Sequence, residues 1–127
     1  MSDEKNSENA DTQSPPPAGG EFRGHRVAFK MQLFANKKEE YKKRHDEIWP
    51  ELVLLLKETG ISEYSIFLDE TTNSLFGVLK AEDPALLNDL PSHEVMQKWW
   101  KYMGDIMESN RDNSPVSISM EEVFYMP

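Results

Sequence analysis

From Arg26 to Leu33 the apolar side chains Val27, Phe29, Met31 and Leu33 fall on every second position, with Lys30 and Gln32 between them. A period of two is that of a half-buried strand. After Asn36 the period changes: Tyr41, His45, Ile48, Trp49, Leu52, Leu55 and Leu56 recur every three or four residues through a charged stretch, as on one face of an amphipathic helix. Pro50 interrupts that helix. Its missing N–H and its ring demand a kink or two helical pieces, and push Trp49 out of helical geometry. Gly60 is suited to stop the second piece.

Ile61–Leu68 and Ser74–Ala81 read as two further strands, joined by a polar connector, 69–73, short enough for a hairpin. Asp83 followed by Pro84 is a helix start, and Pro91 and Ser92 restart the segment. Val95, Met96, Trp99, Trp100, Met103, Ile106 and Met107 then form a broad apolar stripe on a second helix. A polar loop over 110–117 leads to a last strand expected over Met120–Met126. The order strand, helix, strand, strand, helix, strand predicts an α+β domain of the ferredoxin-like, split βαβ kind. Its four-stranded antiparallel sheet carries both helices on one face. Phe67, Phe76, Val78 and Phe124 cannot all lie under the helices if the strands alternate. A second copy of the sheet is therefore expected to cover them, making a homodimer.

The 127 residues carry 14 Lys and Arg against 23 Asp and Glu, a net charge of -9. Nucleic acid is thus a poor partner, since affinity for it comes mainly from cationic groups that displace phosphate counterions. Residues 1–25, acidic and containing Pro15-Pro16-Pro17 and Gly19-Gly20, offer too little apolar surface to offset chain entropy and read as a disordered tail; the folded domain is expected over 26–127. No cysteine is present, so thiol chemistry, disulfides and thiolate metal sites drop out together. The longest aliphatic run, Leu52–Leu56, is far short of the roughly 20 residues of a membrane span. With no secretion-type apolar segment in the tail, a cytoplasmic chain is expected.

Tyr41 and His45 are four apart and share a helix face, so they can converge on one ligand. A histidine there is either a hydrogen-bonded core residue or, with an ordinary pKa near 6.5, a proton-transfer group. Trp99 and Trp100 are either core or, in one of them, the flat wall of a sugar pocket. Tyr64 shares a strand face with Ile66 and Leu68; its hydroxyl either enters that pocket or is satisfied by backbone. His25, His45 and His93 are scattered and lack metal-site spacing, and no phosphate-binding glycine loop or serine elbow occurs. Asp46 and Glu47, adjacent on the helix, do not face each other and read as surface.

Four segments are long and unusual: Glu40-Tyr-Lys-Lys-Arg-His-Asp-Glu-Ile-Trp-Pro-Glu-Leu52, Gln97-Lys-Trp-Trp-Lys-Tyr-Met103, Asn113-Ser-Pro-Val-Ser117 and Glu122-Val-Phe-Tyr-Met-Pro127. Together they closely resemble the L-rhamnose mutarotase family from about Arg26 onward. The acidic tail lies outside the family pattern, and Asp46-Glu47 stand where some members have Asn-Pro. The resemblance implies a dimeric α+β barrel and a cofactor-free isomerase that interconverts the α and β anomers of L-rhamnose. It implies His45 as the catalytic proton donor and Tyr41, Tyr64, Trp99 and Trp100 as sugar contacts. The rival is a haem-binding oxygenase or a non-catalytic ligand-binding member of the same barrel superfamily.

Overall fold

The computed structural model describes residues 25–127. The disordered tail expected over 1–25 therefore lies, apart from His25, outside the described residues. Strand β1 (His25–Gln32) is followed by helices α1 (Lys38–Asp46) and α2 (Pro50–Glu58). Strands β2 (Ile61–Asp69) and β3 (Ser74–Ala81), a 3₁₀ stretch (Pro84–Ser92), helix α3 (Glu94–Met103) and strand β4 (Ser117–Met120) complete the order. The four strands form one antiparallel sheet in the order β2-β3-β1-β4, which is the split βαβ arrangement the sequence predicts.

The local chemistry explains most of the boundaries. Trp49 is extended (φ -64°, ψ 132°) and Pro50 opens α2, so the first helix is in two pieces. Gly60, at φ 90°, turns the chain from α2 into β2, a conformation costly for any residue with a Cβ. In the β2–β3 turn the Asp69 carboxylate accepts from the Thr71 N–H (3.0 Å) and hydroxyl (2.7 Å), and Asn73 takes φ 60°. Asp83 accepts from the Ala85 N–H at 3.0 Å, but the segment it starts winds as a 3₁₀ stretch, and α3 begins only at Glu94. Pro91 enforces that break by removing a donor in mid-segment.

Register fixes the two faces of the sheet. Met31 pairs Leu75, Phe29 pairs Gly77 and Val27 pairs Leu79, and these side chains share the helix-covered face. Leu75 and Leu79 are buried there, in a core completed by Leu33, Leu52, Met96, Trp99, Met103 and Ile106. In β2 a bulge between Ser62 and Ser65, with Glu63 at φ 49°, inserts one residue. It lets odd-numbered Ile61 and even-numbered Ile66 and Leu68 all join the core, and puts Tyr64 on the same face. The opposite face carries Phe67, Phe76, Val78, Ile118 and Met120, of which Phe67 is 62% and Ile118 60% exposed.

Two expectations are corrected. Helix α3 ends at Met103, so Ile106 and Met107 are buried from a turn rather than from the helix. There the chain extends β1: the Phe34 N–H donates to the Ile106 carbonyl (2.9 Å), the Glu108 N–H donates to the Gln32 carbonyl (3.0 Å), and Leu33 bridges Met107. The last strand is Ser117–Met120, not Met120–Met126. Its ladder with β1 runs from Ser117 opposite Met31 to Met120 opposite Ala28. Phe124 thus lies outside the described strands. No helix among the described residues is long and apolar enough to cross a membrane.

Candidate active site

The α1 sequence puts acids first and bases last, with Glu39 and Glu40 in its first turn and Lys43, Arg44 and His45 in its last, as the helix dipole favours. Tyr41 and His45, one turn apart, point the same way. Their rings stack at 4.4 Å between centroids, 28° from parallel. The His45 Nδ1 lies 3.0 Å from the Tyr41 carbonyl oxygen. A carbonyl can only accept, so Nδ1 carries the proton and Nε2 is left with its lone pair when the ring is neutral.

Burial lowers the His45 pKa below its ordinary 6.5; the Tyr41 carbonyl and the Asp46 carboxylate oppose that shift without cancelling it. The imidazole is thus neutral and basic at Nε2 at neutral pH. Tyr41 is buried, and burial raises its phenol, with a further push from the charge Tyr64 would carry. Tyr64 keeps 39% of its surface exposed, yet its hydroxyl sits among protein atoms, and burial pushes it up to about 12. Both phenols therefore stay protonated as hydrogen-bond donors. Phe29 meets the Tyr64 ring edge-on at 6.2 Å.

Helix α3 brings Trp99 to the same place. Its ring meets His45 edge-on at 5.4 Å and Trp49 edge-on at 5.1 Å. Tyr102 stacks on Trp49 (5.7 Å, 26° from parallel) and also touches Trp99. Three of the five residues singled out in the sequence, Tyr41, His45 and Trp99, are thus joined by ring contacts between α1 and α3, and Tyr64 of β2 is tied to them through its influence on the Tyr41 phenol. Trp100 makes none of these ring contacts. It packs against the core and lines a surface cleft of about 490 Å³ with Gln97, Lys101, Asp112 and Asn113. Sequence reasoning did not place Trp49 or Tyr102 at the site, although Trp49 continues the four-residue spacing of Tyr41 and His45. Among the described residues no three His, Asp or Glu side chains gather into a group that could hold a metal ion.

A histidine with one nitrogen tied to backbone and the other carrying a lone pair, beside protonated phenols and an indole wall, is suited to moving protons on a neutral, hydroxyl-rich ring. Residues 26–126 match the family model of L-rhamnose mutarotase. The chain belongs to the L-rhamnose mutarotase family. It is 60% identical over 100 residues to an L-rhamnose mutarotase of Agrobacterium fabrum, covering 79% of this chain and 94% of that one. It is 56% identical over 104 residues to one of Brucella anthropi, covering 82% and 98%. The crystal structure of the L-rhamnose mutarotase from Formosa agariphila superposes with a TM-score of 0.76 at 55% identity, covering 81% of this chain and 99% of that one. A Nitrosomonas europaea protein described as an antibiotic biosynthesis monooxygenase shares only the fold, with a TM-score of 0.54 at 11% identity over 82% of this chain and 96% of that one. Membership in the mutarotase family makes the chain an isomerase of carbohydrate metabolism and separates it from such oxygenases.

Proposed function

We propose that this chain interconverts the α and β anomers of L-rhamnose with His45 as its proton-transfer group and Tyr41, Tyr64, Trp99 and Trp100 as its sugar contacts. The observation that carries the reading is the Nδ1 contact with the Tyr41 carbonyl, which leaves a basic Nε2 on a neutral imidazole. Anomer exchange removes the proton of the anomeric hydroxyl, protonates the ring oxygen, breaks the bond from that oxygen to C1, turns about C1–C2 and recloses. The anomeric and ring oxygens are bonded to the same carbon, so one imidazole nitrogen can serve both in turn. Nε2 takes the hydroxyl proton, and the imidazolium gives it to the ring oxygen as the bond breaks. In that second step His45 is the proton donor the family resemblance implies. Reclosure on the other face of C1 reverses the sequence and leaves the enzyme unchanged.

The Tyr41 and Tyr64 phenols, held protonated, donate hydrogen bonds to the sugar and stabilise the charge that develops on its oxygens. Trp99 supplies an apolar face against the C–H side of the pyranose and restrains the imidazole. Polarimetry tests the activity. Freshly dissolved α-L-rhamnose should reach its equilibrium rotation faster in proportion to added protein, and a rate equal to buffer alone would refute the proposal.

The proposal includes a homodimer formed through the uncovered sheet face. That reading is supported by Phe67, Phe76, Val78, Ile118 and Met120, an apolar patch of the kind that marks an interface. Light scattering should give twice the chain mass at micromolar concentration, and Phe67→Lys should shift it toward the monomer. A monomeric wild type would remove this part. Cytoplasmic placement belongs to the same proposal, and fractionation of cells making the tagged chain tests it.

A further inference from the structure

Arg44 directly precedes His45, yet its side chain is only 10% exposed and its guanidinium uses four of its five N–H donors in bonds to protein oxygens. Nε donates to the Glu40 carboxylate at 2.8 Å, one turn back on α1. Nη1 donates to the Tyr102 backbone carbonyl at 2.7 Å and to Asp105 Oδ1 at 2.8 Å, and Nη2 donates to Asp105 Oδ2 at 3.2 Å. Its carbon lies 4.4 Å from the centre of the Tyr102 ring. The fork thus closes the last turn of α3, where carbonyls lack helical partners and a cation is favoured, onto α1.

The consequence runs through the rings. Tyr102, held from one side by the guanidinium, stacks on Trp49 and touches Trp99; Trp49 meets Trp99, and Trp99 meets the edge of His45. Resting on the mutarotase reading of His45, we infer that Arg44 is a positioning residue. By gripping Tyr102 and Asp105 it holds the Tyr102–Trp49–Trp99 stack that keeps the His45 ring turned toward the Tyr41 carbonyl. Lysine would keep the charge and one ion pair but lose the planar two-pronged contact with Asp105 and the flat packing on Tyr102. Without the stack, the imidazole can swing from the Tyr41 carbonyl, and Nε2 no longer holds one orientation.

The test compares wild type, Arg44→Lys and Tyr102→Leu, all assayed well below their melting temperatures. Tyr102→Leu removes the ring and leaves the backbone carbonyl and both ion pairs in place. Two readouts are taken: kcat and KM for L-rhamnose anomer exchange, and the ring nitrogen signals of His45 by long-range ¹H–¹⁵N NMR without sugar. Positioning predicts a fall in kcat of roughly tenfold, within the range that small misplacements of a reacting group produce. It also predicts that the His45 signals move from the single Nδ1–H tautomer toward a mixture. A lower melting temperature with wild-type kcat and unmoved His45 signals would overturn it and leave Arg44 only a clasp between helices. If Arg44→Lys does not fold, Tyr102→Leu decides by the same two readouts. The NMR result stands apart from the substrate: absence of exchange by wild type itself would refute the functional reading, while the tautomer comparison would still judge the positioning.

Discussion

Gly77 sits in the middle of β3 opposite Phe29 of β1 and Ile66 of β2, directly beneath the Phe29 ring. A Cβ built there would come within 2.5, 2.6 and 3.0 Å of three atoms of that ring. Carbon atoms rest at about 3.5–4.0 Å, so the ring must retreat by about 1 Å, or the two strands must part. Overpacking of this kind costs about 1–3 kcal/mol. The strain has a direction, because Phe29 meets Tyr64 edge-on at 6.2 Å and any retreat disturbs that tyrosine. Gly77→Ala should therefore lower the free energy of unfolding by about 1–3 kcal/mol, read as a lower urea midpoint at unchanged m-value, with a fall of about 4–8 °C in melting temperature for each kcal/mol in a domain of this size. Phe29→Leu removes the three clashing atoms. The double variant should be more stable than the two single effects added together, a coupling of about 1 kcal/mol or more. Gly77→Ala within about 0.5 kcal/mol of wild type, or strict additivity in the cycle, would show that the sheet yields freely there and refute the reasoning.

His45→Ala should lose about 10²–10⁴-fold in exchange rate while sugar binding, followed by tryptophan fluorescence, and the oligomeric state stay near wild type; full activity would remove His45 from the chemistry. Because burial holds the His45 pKa below 6.5, kcat/KM should be level at neutral pH and fall only below that value, and a limb centred above 6.5 would contradict the buried neutral imidazole. The same shift predicts stability: unfolded His45 binds its proton first as pH drops. Its contribution is complete above 6.5, lost as pH falls through the lower folded value and level below it, which denaturation at stepped pH and comparison with His45→Gln would show. Asp83→Ala removes the acceptor of the Ala85 N–H and should cost about 0.5–2 kcal/mol by urea denaturation with little change in exchange rate; no measurable loss would show that water replaces the cap.

The alternation of Val27, Phe29 and Met31 and the helical spacing of Tyr41, His45 and Leu52 were legible because each follows one local period. So was the break at Trp49-Pro50, which rests on the proline ring alone. What escaped the sequence depends on contacts across the fold. The β2 bulge turns on Glu63, a residue that carries no turn signal and enters the left-handed region without the freedom of glycine. Arg44 sits in a run of charges that looks like a solvated face, and only the approach of Tyr102 and Asp105 distinguishes it from Lys42 and Lys43. Trp99 and Trp100 look equivalent as a pair, yet the 100° turn between them sets one ring against His45 and leaves the other packed on the core and lining a surface cleft. Val123–Met126 is the more apolar run and draws a strand reading, whereas the ladder with β1 lies over Ser117–Met120.

The most direct test of the central claim is saturation-transfer NMR on equilibrated L-rhamnose. One anomeric proton is irradiated and the other observed, with wild type and His45→Ala at equal concentration. The account predicts transfer with wild type and its near-complete loss with His45→Ala. Equal transfer by both proteins would contradict the role of His45, and transfer by neither would contradict the mutarotase reading itself.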